Sequence, residues 1–143
     1  LLILQLGLLS QRSRIEVRKT IPVKEDKSEE FYKKLPFEPT SAQKRAVSEA
    51  VSDLMSEKPM NRLVQGDVGS GKTAVAAAII YTAIKNGFQS AFMAPTEVLA
   101  NQHFKTLKNF FKDDFNIELL TGSTPAKKKR EIKEKLENGL RLL

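Results

Sequence analysis

The sequence predicts an α/β protein in which helices flank a parallel sheet. Short apolar runs alternate with helical patterns three times after residue 60. A glycine-rich stretch, Gly66 to Thr73, lies between the first such run and the first such helix. At 143 residues the chain is one domain's worth. A domain of that size buries roughly 70% of its unfolded surface. Strand–helix alternation of this kind gives parallel strands joined by right-handed crossovers.

The elements follow in chain order. Leu1-Leu2-Ile3-Leu4-Gln5-Leu6-Gly7-Leu8-Leu9 is far short of the about 20 apolar residues that cross a membrane. No basic stretch precedes it, as a signal peptide requires. It reads as a packing helix over about residues 1–14. A charged connector, Lys19 to Lys27, is broken by Pro22. Ser28, Glu29 and Glu30 open a short helix that stops before Pro36. The boundary between an N-terminal linker (1–35) and the α/β lobe (36–143) is placed here.

Thr40-Ser41-Ala42-Gln43 has the capping-box pattern of a helix start. Val47, Ala50, Val51, Leu54 and Met55 then recur at helical spacing as its buried face. Arg62 to Gln65 reads as a buried strand. Ala74 to Ile84 is apolar almost all round, so its helix is expected to be covered on more than one side. Asn86-Gly87 stops it. Ser90 to Ala94 is the second strand, Glu97 to Lys112 a helix, and Ile117 to Leu120 the third strand. Thr124-Pro125 starts a helix with Pro125 at its first position, and Asn138-Gly139 ends it. Arg141-Leu142-Leu143 begins a possible fourth strand.

Composition removes several function classes. There is no cysteine, hence no disulfide, thiolate metal site or thiol nucleophile. That suits a reducing cytosol, and a cytoplasmic location is expected. A single histidine leaves little for a zinc site. The chain carries net charge +7, and residues 101–143 hold 10 basic against 6 acidic groups. Such a balance suits a polyanionic partner without specifying one.

The sharpest motif is Gly66-Asp67-Val68-Gly69-Ser70-Gly71-Lys72-Thr73, which fits G-x-x-x-x-G-K-[ST] at every fixed position. Glycines allow a tight turn whose N–H groups face phosphate oxygens. The following helix adds its positive end. Lys72 is the candidate for the β- and γ-phosphates and Thr73 for Mg²⁺, which makes ATP and Mg the expected cofactors. With Gly near 7% of residues, a chance match in a chain this long is on the order of 0.5%. The acidic residue that would complete a hydrolytic site is not evident. Asp113-Asp114 follows a helical stretch, and Asp26 lies in the connector. Nucleotide binding with little or no hydrolysis is expected of the chain alone.

Three further constellations each admit two readings. Gln43, with Phe37 upstream in Pro36-Phe37-Glu38-Pro39-Thr40, is either a capping residue or a reader of the adenine edge. Ala94-Pro95-Thr96-Glu97-Val98-Leu99-Ala100-Asn101-Gln102 is either an ordinary helix start or a ligand site at a strand's carboxyl end. Thr121-Gly122-Ser123 is either a turn or a holder of nucleic-acid phosphate. His103 reads as an ordinary helical side chain. Lys127 to Arg130 reads as a solvated helix face partly balanced by Glu131 and Glu134.

Taken together, the order of these segments resembles the first motor lobe of superfamily 2 helicases, specifically those that remodel branched DNA at stalled replication forks. Transcription-repair coupling factors share the GDVG-GKT pattern and are the nearest alternative. A stand-alone P-loop nucleotide-binding protein is a further one. The resemblance implies a RecA-like P-loop fold. It assigns Gly66 to Thr73 to ATP and Mg²⁺, and Phe37 and Gln43 to the adenine. It assigns Pro95, Thr96, Glu97, Thr121, Gly122 and Ser123 to the DNA backbone. It further implies DNA repair and recombination as the setting, a monomer, no membrane partner, and a second motor lobe and wedge domain outside this sequence.

Overall fold

The helix over Lys72–Lys85 forms at the place where the sequence is most uniformly apolar, and three of the other four described helices pack against it. The computed structural model describes residues 20–139. The expected helix over residues 1–14 and the fourth strand at 141–143 lie outside the described residues. In chain order the helices are α1 (Ser28–Tyr32), α2 (Ser41–Leu54), α3 (Lys72–Lys85), α4 (Glu97–Phe111) and α5 (Ala126–Glu137).

Helix α3 is the hub: α1, α2 and α4 all pack against it. It buries Ala74, Val75, Ala77, Ala78, Tyr81, Thr82 and Ile84, residues that point to more than one side of the cylinder, as the all-round apolar pattern requires. Phe31 from α1, Val47 and Val51 from α2, and Leu107 and Phe111 from α4 complete the core, with Ile117 beside them. Phe31, Tyr81 and Phe111 form an aromatic centre with ring centroids 5.4–6.2 Å apart, inside the range where such pairs attract. Full burial of a side chain such as Phe31 contributes about 1.5–3 kcal/mol.

The connector is fastened to the helices it passes. Thr20 N–H donates to Glu57 O and Val23 N–H to Leu54 O, both at 2.9 Å, at the end of α2. Asn86, just past α3, accepts the N–H groups of Lys24 and Glu25 at 3.0 Å. Its amide donates to Glu25 O at 2.8 Å and Thr82 O at 2.7 Å. One amide side chain thus substitutes for a short stretch of strand backbone. Asp26 Oδ1 accepts from Ser28 N–H at 2.8 Å, so this carboxylate serves the start of α1. The Tyr81 hydroxyl donates to Glu30. Burial and that carboxylate both push its pKa far up.

Helix boundaries match the expected ones closely, with local corrections. Met55 was expected on the buried face of α2, but it sits beyond the last helical residue as the C-cap and is exposed. Pro125 is the N-cap of α5, with ψ 145°, rather than its first helical residue. Lys112 ends α4 at φ 49°.

The sheet is the larger difference. Among the described residues no strand is formed, and the only ladder feature is an isolated bridge at Asn116. Residues 62–65, 90–94 and 117–120 have no regular secondary structure and do not hydrogen-bond to one another. Residues 90–94 alternate in burial as a strand does, whereas 62–65, expected to be buried, are exposed except for the half-buried Val64, and 117–120 grade from buried to exposed. Val64 and Phe92 pack on the core and Ile117 lies in it, while Leu63 is 86% exposed, Met93 91% and Leu120 53%. The apolar pattern marks a segment's two faces, whereas a ladder needs a second backbone alongside. Residues 90–94 have the two faces without the neighbour. None of the described helices is long and apolar enough to cross a membrane.

Candidate functional site

The glycine-rich loop caps the N-terminus of α3. Gly69 and Gly71 adopt φ values of 81° and 78°, the left-handed region that glycine enters without a Cβ clash. A Cβ on Gly71 would also lie 2.3 Å from Gln43 Nε2, and one on Gly66 2.8 Å from Ser70 Oγ. Residues 65–70 are all exposed and Val68 is fully so. The loop stands open at a helix N-terminus, where backbone N–H groups and the macrodipole favour an anion.

Lys72 lies across the loop. Its ammonium donates to Gly66 O at 2.8 Å and Asp67 O at 2.6 Å, with Ser70 Oγ at 3.4 Å. A cation held by two loop carbonyls and a hydroxyl fits a polyphosphate, which would take over the donors now given to carbonyl oxygens. Thr73 follows Lys72 in the first turn of α3 and is half-buried. No cluster of three or more His, Cys, Asp or Glu suited to a metal exists among the described residues. Asp114 is paired with Lys34 at 2.6 Å, which gives it a structural use. The open glycine loop and the Lys72 ammonium have the chemistry to hold phosphate oxygens, and Thr73 has a hydroxyl that a Mg²⁺ ion could use.

Gln43 connects this loop to α2. Thr40 Oγ1 accepts from Gln43 N–H at 3.2 Å, and Gln43 Oε1 accepts from Thr40 N–H at 2.9 Å, closing the capping box. The same amide donates from Nε2 to Ser70 O at 2.9 Å. The capping reading therefore holds, and the side chain in addition braces the phosphate loop. Phe37 stands in an open cleft of about 430 Å³ with Tyr32, Pro36, Pro39 and Lys44, and its ring meets Phe110 edge-on at 6.3 Å.

The two later motifs come together in space. Thr96 caps α4 by accepting from Leu99 N–H at 3.2 Å. Glu97, the first residue of α4 and well placed against its positive end, accepts hydrogen bonds from Ser123 Oγ and, at 3.3 Å, from Thr121 Oγ1. Thr124, expected at the start of α5, closes the turn instead: its hydroxyl accepts from Thr121 N–H at 2.9 Å, and α5 has no side-chain cap. The hydroxyl spacing in Thr121-Gly122-Ser123-Thr124 was the available signal. Pro95 and Gly122 are exposed beside this cluster.

The basic run on α5 is not purely solvated. Lys129 donates to Gly122 O at 3.2 Å. Lys128 and Lys135 pair with Glu118 at 3.0 and 2.6 Å, and the hydrogen bonds of these two ammonium groups, Lys135 first, hold the Glu118 carboxyl below its usual pKa. Lys127 and Arg130 remain exposed. His103 meets the Phe92 ring edge-on at 5.0 Å, as an ordinary helical side chain would.

Comparison with known proteins fits this geometry. Residues 40–142 match the model of the DEAD/DEAH box helicase family. The chain is 50% identical over 142 residues to the ATP-dependent DNA helicase RecG of Thermotoga maritima, covering 97% of this chain and 18% of that protein. It is 51% identical over 114 residues to the same helicase of Staphylococcus aureus, covering 80% and 17%. A solved structure of RecG bound to a three-way DNA junction matches at TM-score 0.88 and 47% identity, covering 98% of this chain and 20% of that one. The chain thus spans about a fifth of the length of these relatives.

Proposed function

This chain belongs to the DEAD/DEAH box helicase family, and from that membership we propose that it is the ATP-binding part of an ATP-dependent DNA helicase acting on branched DNA. The observation that carries the proposal is the open glycine loop at the N-terminus of α3, with the Lys72 ammonium held over it. The names of the relatives point to RecG rather than to a transcription-repair coupling factor or a stand-alone nucleotide-binding protein.

In this reading Gly66, Asp67, Val68, Gly69, Ser70 and Gly71 surround the phosphates. Lys72 takes the β- and γ-oxygens, and Thr73 offers its hydroxyl to Mg²⁺. ATP, when bound with Mg²⁺, supplies the phosphoryl transfer that drives a motor. Phe37 and Gln43 border the base. Pro95, Thr96 and Glu97, with Thr121, Gly122 and Ser123, form the surface toward the DNA backbone. Residues 1–35 link to a wedge domain and 36–143 belong to the first RecA-like lobe. Residues 62–65, 90–94 and 117–120 are strands of its parallel sheet in the longer, monomeric, cytoplasmic protein. A second lobe and an acidic strand end complete hydrolysis there.

Titration calorimetry of the full-length protein with Mg-ATP tests the loop assignment. Lys72→Ala is expected to weaken binding at least about tenfold, the loss of a charge-assisted contact worth roughly 1.5–3 kcal/mol. Unchanged affinity would overturn the phosphate-loop reading.

A further inference from the structure

The hydroxyl turn assigned to DNA already holds an anion, and that anion belongs to the protein. Each Ser or Thr hydroxyl has one proton to donate, and a phosphate oxygen can only accept. The Ser123 proton is given to Glu97. The Thr121 proton has Glu97 Oε1 at 3.3 Å, Ser123 Oγ at 3.1 Å and Thr124 Oγ1 at 3.3 Å within reach. Every one of these acceptors lies inside the cluster. The surroundings favour negative charge: Glu97 sits at the N-terminus of a 15-residue helix, and Lys129 reaches Gly122 O across the same turn. The carboxylate occupies a place that a phosphate group would find equally favourable.

We propose that Glu97 is an internal surrogate for a DNA backbone phosphate, holding the Thr121 and Ser123 hydroxyls until a nucleic-acid strand displaces it. The inference rests on the reading that this turn contacts DNA. It separates the roles of neighbouring residues: Thr121 and Ser123 grip the backbone, whereas Glu97 competes with it. The cap of α4 is Thr96, which accepts from Leu99 N–H and does not depend on Glu97, so release of Glu97 leaves that bond in place. An exposed carboxylate on a basic chain thereby sets a threshold against weak, unspecific backbone contacts.

The experiment is fluorescence anisotropy of a labelled three-way DNA junction with the full-length protein, without nucleotide, at several salt concentrations. Glu97→Gln and Glu97→Ala are both expected to tighten binding by about three- to tenfold at low salt, the gain shrinking as salt rises, because each removes a charge that repels phosphate. If Glu97 is instead a clamp that orders the turn, Glu97→Ala weakens binding and Glu97→Gln does not change it, and the proposal falls. The double variant Thr121→Val/Ser123→Ala separates the two levels. It is expected to weaken binding. If it does so while the Glu97 variants fail to tighten, only the surrogate role is overturned. If it leaves affinity unchanged, the DNA-contact reading itself is wrong and the proposal goes with it.

Discussion

Gly71 shows how much a single position can be asked to do. Its φ of 78° excludes a side chain on backbone grounds, and a Cβ there would also drive into Gln43 Nε2. Gly69 has nearly the same φ, 81°, with nothing within 4 Å of the added carbon. The two glycines therefore separate backbone strain from crowding. Gly69→Ala is expected to cost about 1–2 kcal/mol of stability, the price of a left-handed alanine. Gly71→Ala adds the displacement of the Gln43 amide from Ser70 O, about 1 kcal/mol more. Urea unfolding of both variants in a Gln43→Ala background provides the check. There the excess at Gly71 should vanish. If it persists, Gln43 is not what Gly71 makes room for.

The helices were legible in the sequence because their signals are local. Thr40 and Gln43 specify a capping box by spacing alone, and Gly87 marks a stop by its left-handed backbone. The phosphate loop was legible for the same reason, since eight consecutive residues carry it. The meeting of Glu97 with Thr121 and Ser123 was not, because residues 24 to 26 positions apart in sequence have no pattern that announces contact. The connector was likewise read as a spacer, yet Asn86 fixes it from 61 to 62 positions away. Asn86→Ala removes all four of that side chain's hydrogen bonds while water replaces only the exposed ones. It should cost about 1–3 kcal/mol and speed tryptic cleavage after Lys24 or Lys27. An unchanged cleavage rate would show the fastening to be immaterial. Glu118 makes the corresponding link between segment 117–120 and α5. Its pKa is lowered on folding from an ordinary value of 4.5, so its contribution is fully present above that pH and is lost as pH falls through the lowered value. Glu118→Gln should destabilise the protein at neutral pH and flatten the loss of stability below pH 4.5, as followed by circular dichroism.

At the scale of the molecule, α3 is covered while the extended segments are not. Phe31, Val47, Val51, Leu107 and Phe111 pack around the helix that carries the phosphate loop, against its own buried Tyr81. Leu63, Met93 and Leu120 face outward from segments whose other faces are already packed. The sequence predicts a sheet from short apolar runs that alternate with helices, and only residues 90–94 alternate in burial as a strand does. What it could not specify is the neighbouring backbone, because pairing is a property of two segments. A half-packed strand without its ladder leaves amide groups open to exchange. Hydrogen exchange followed by mass spectrometry should therefore divide the 143-residue chain into two classes. The amides of α2 and α3 are expected to be protected, and those of 62–65, 90–94 and 117–120 to exchange within seconds. In the full-length protein, where the proposed sheet has its missing neighbours, the same three segments should become as protected as α3. Fast exchange there too would mean that these segments never join a ladder, and that the parallel sheet inferred from the apolar pattern is not how this lobe is built.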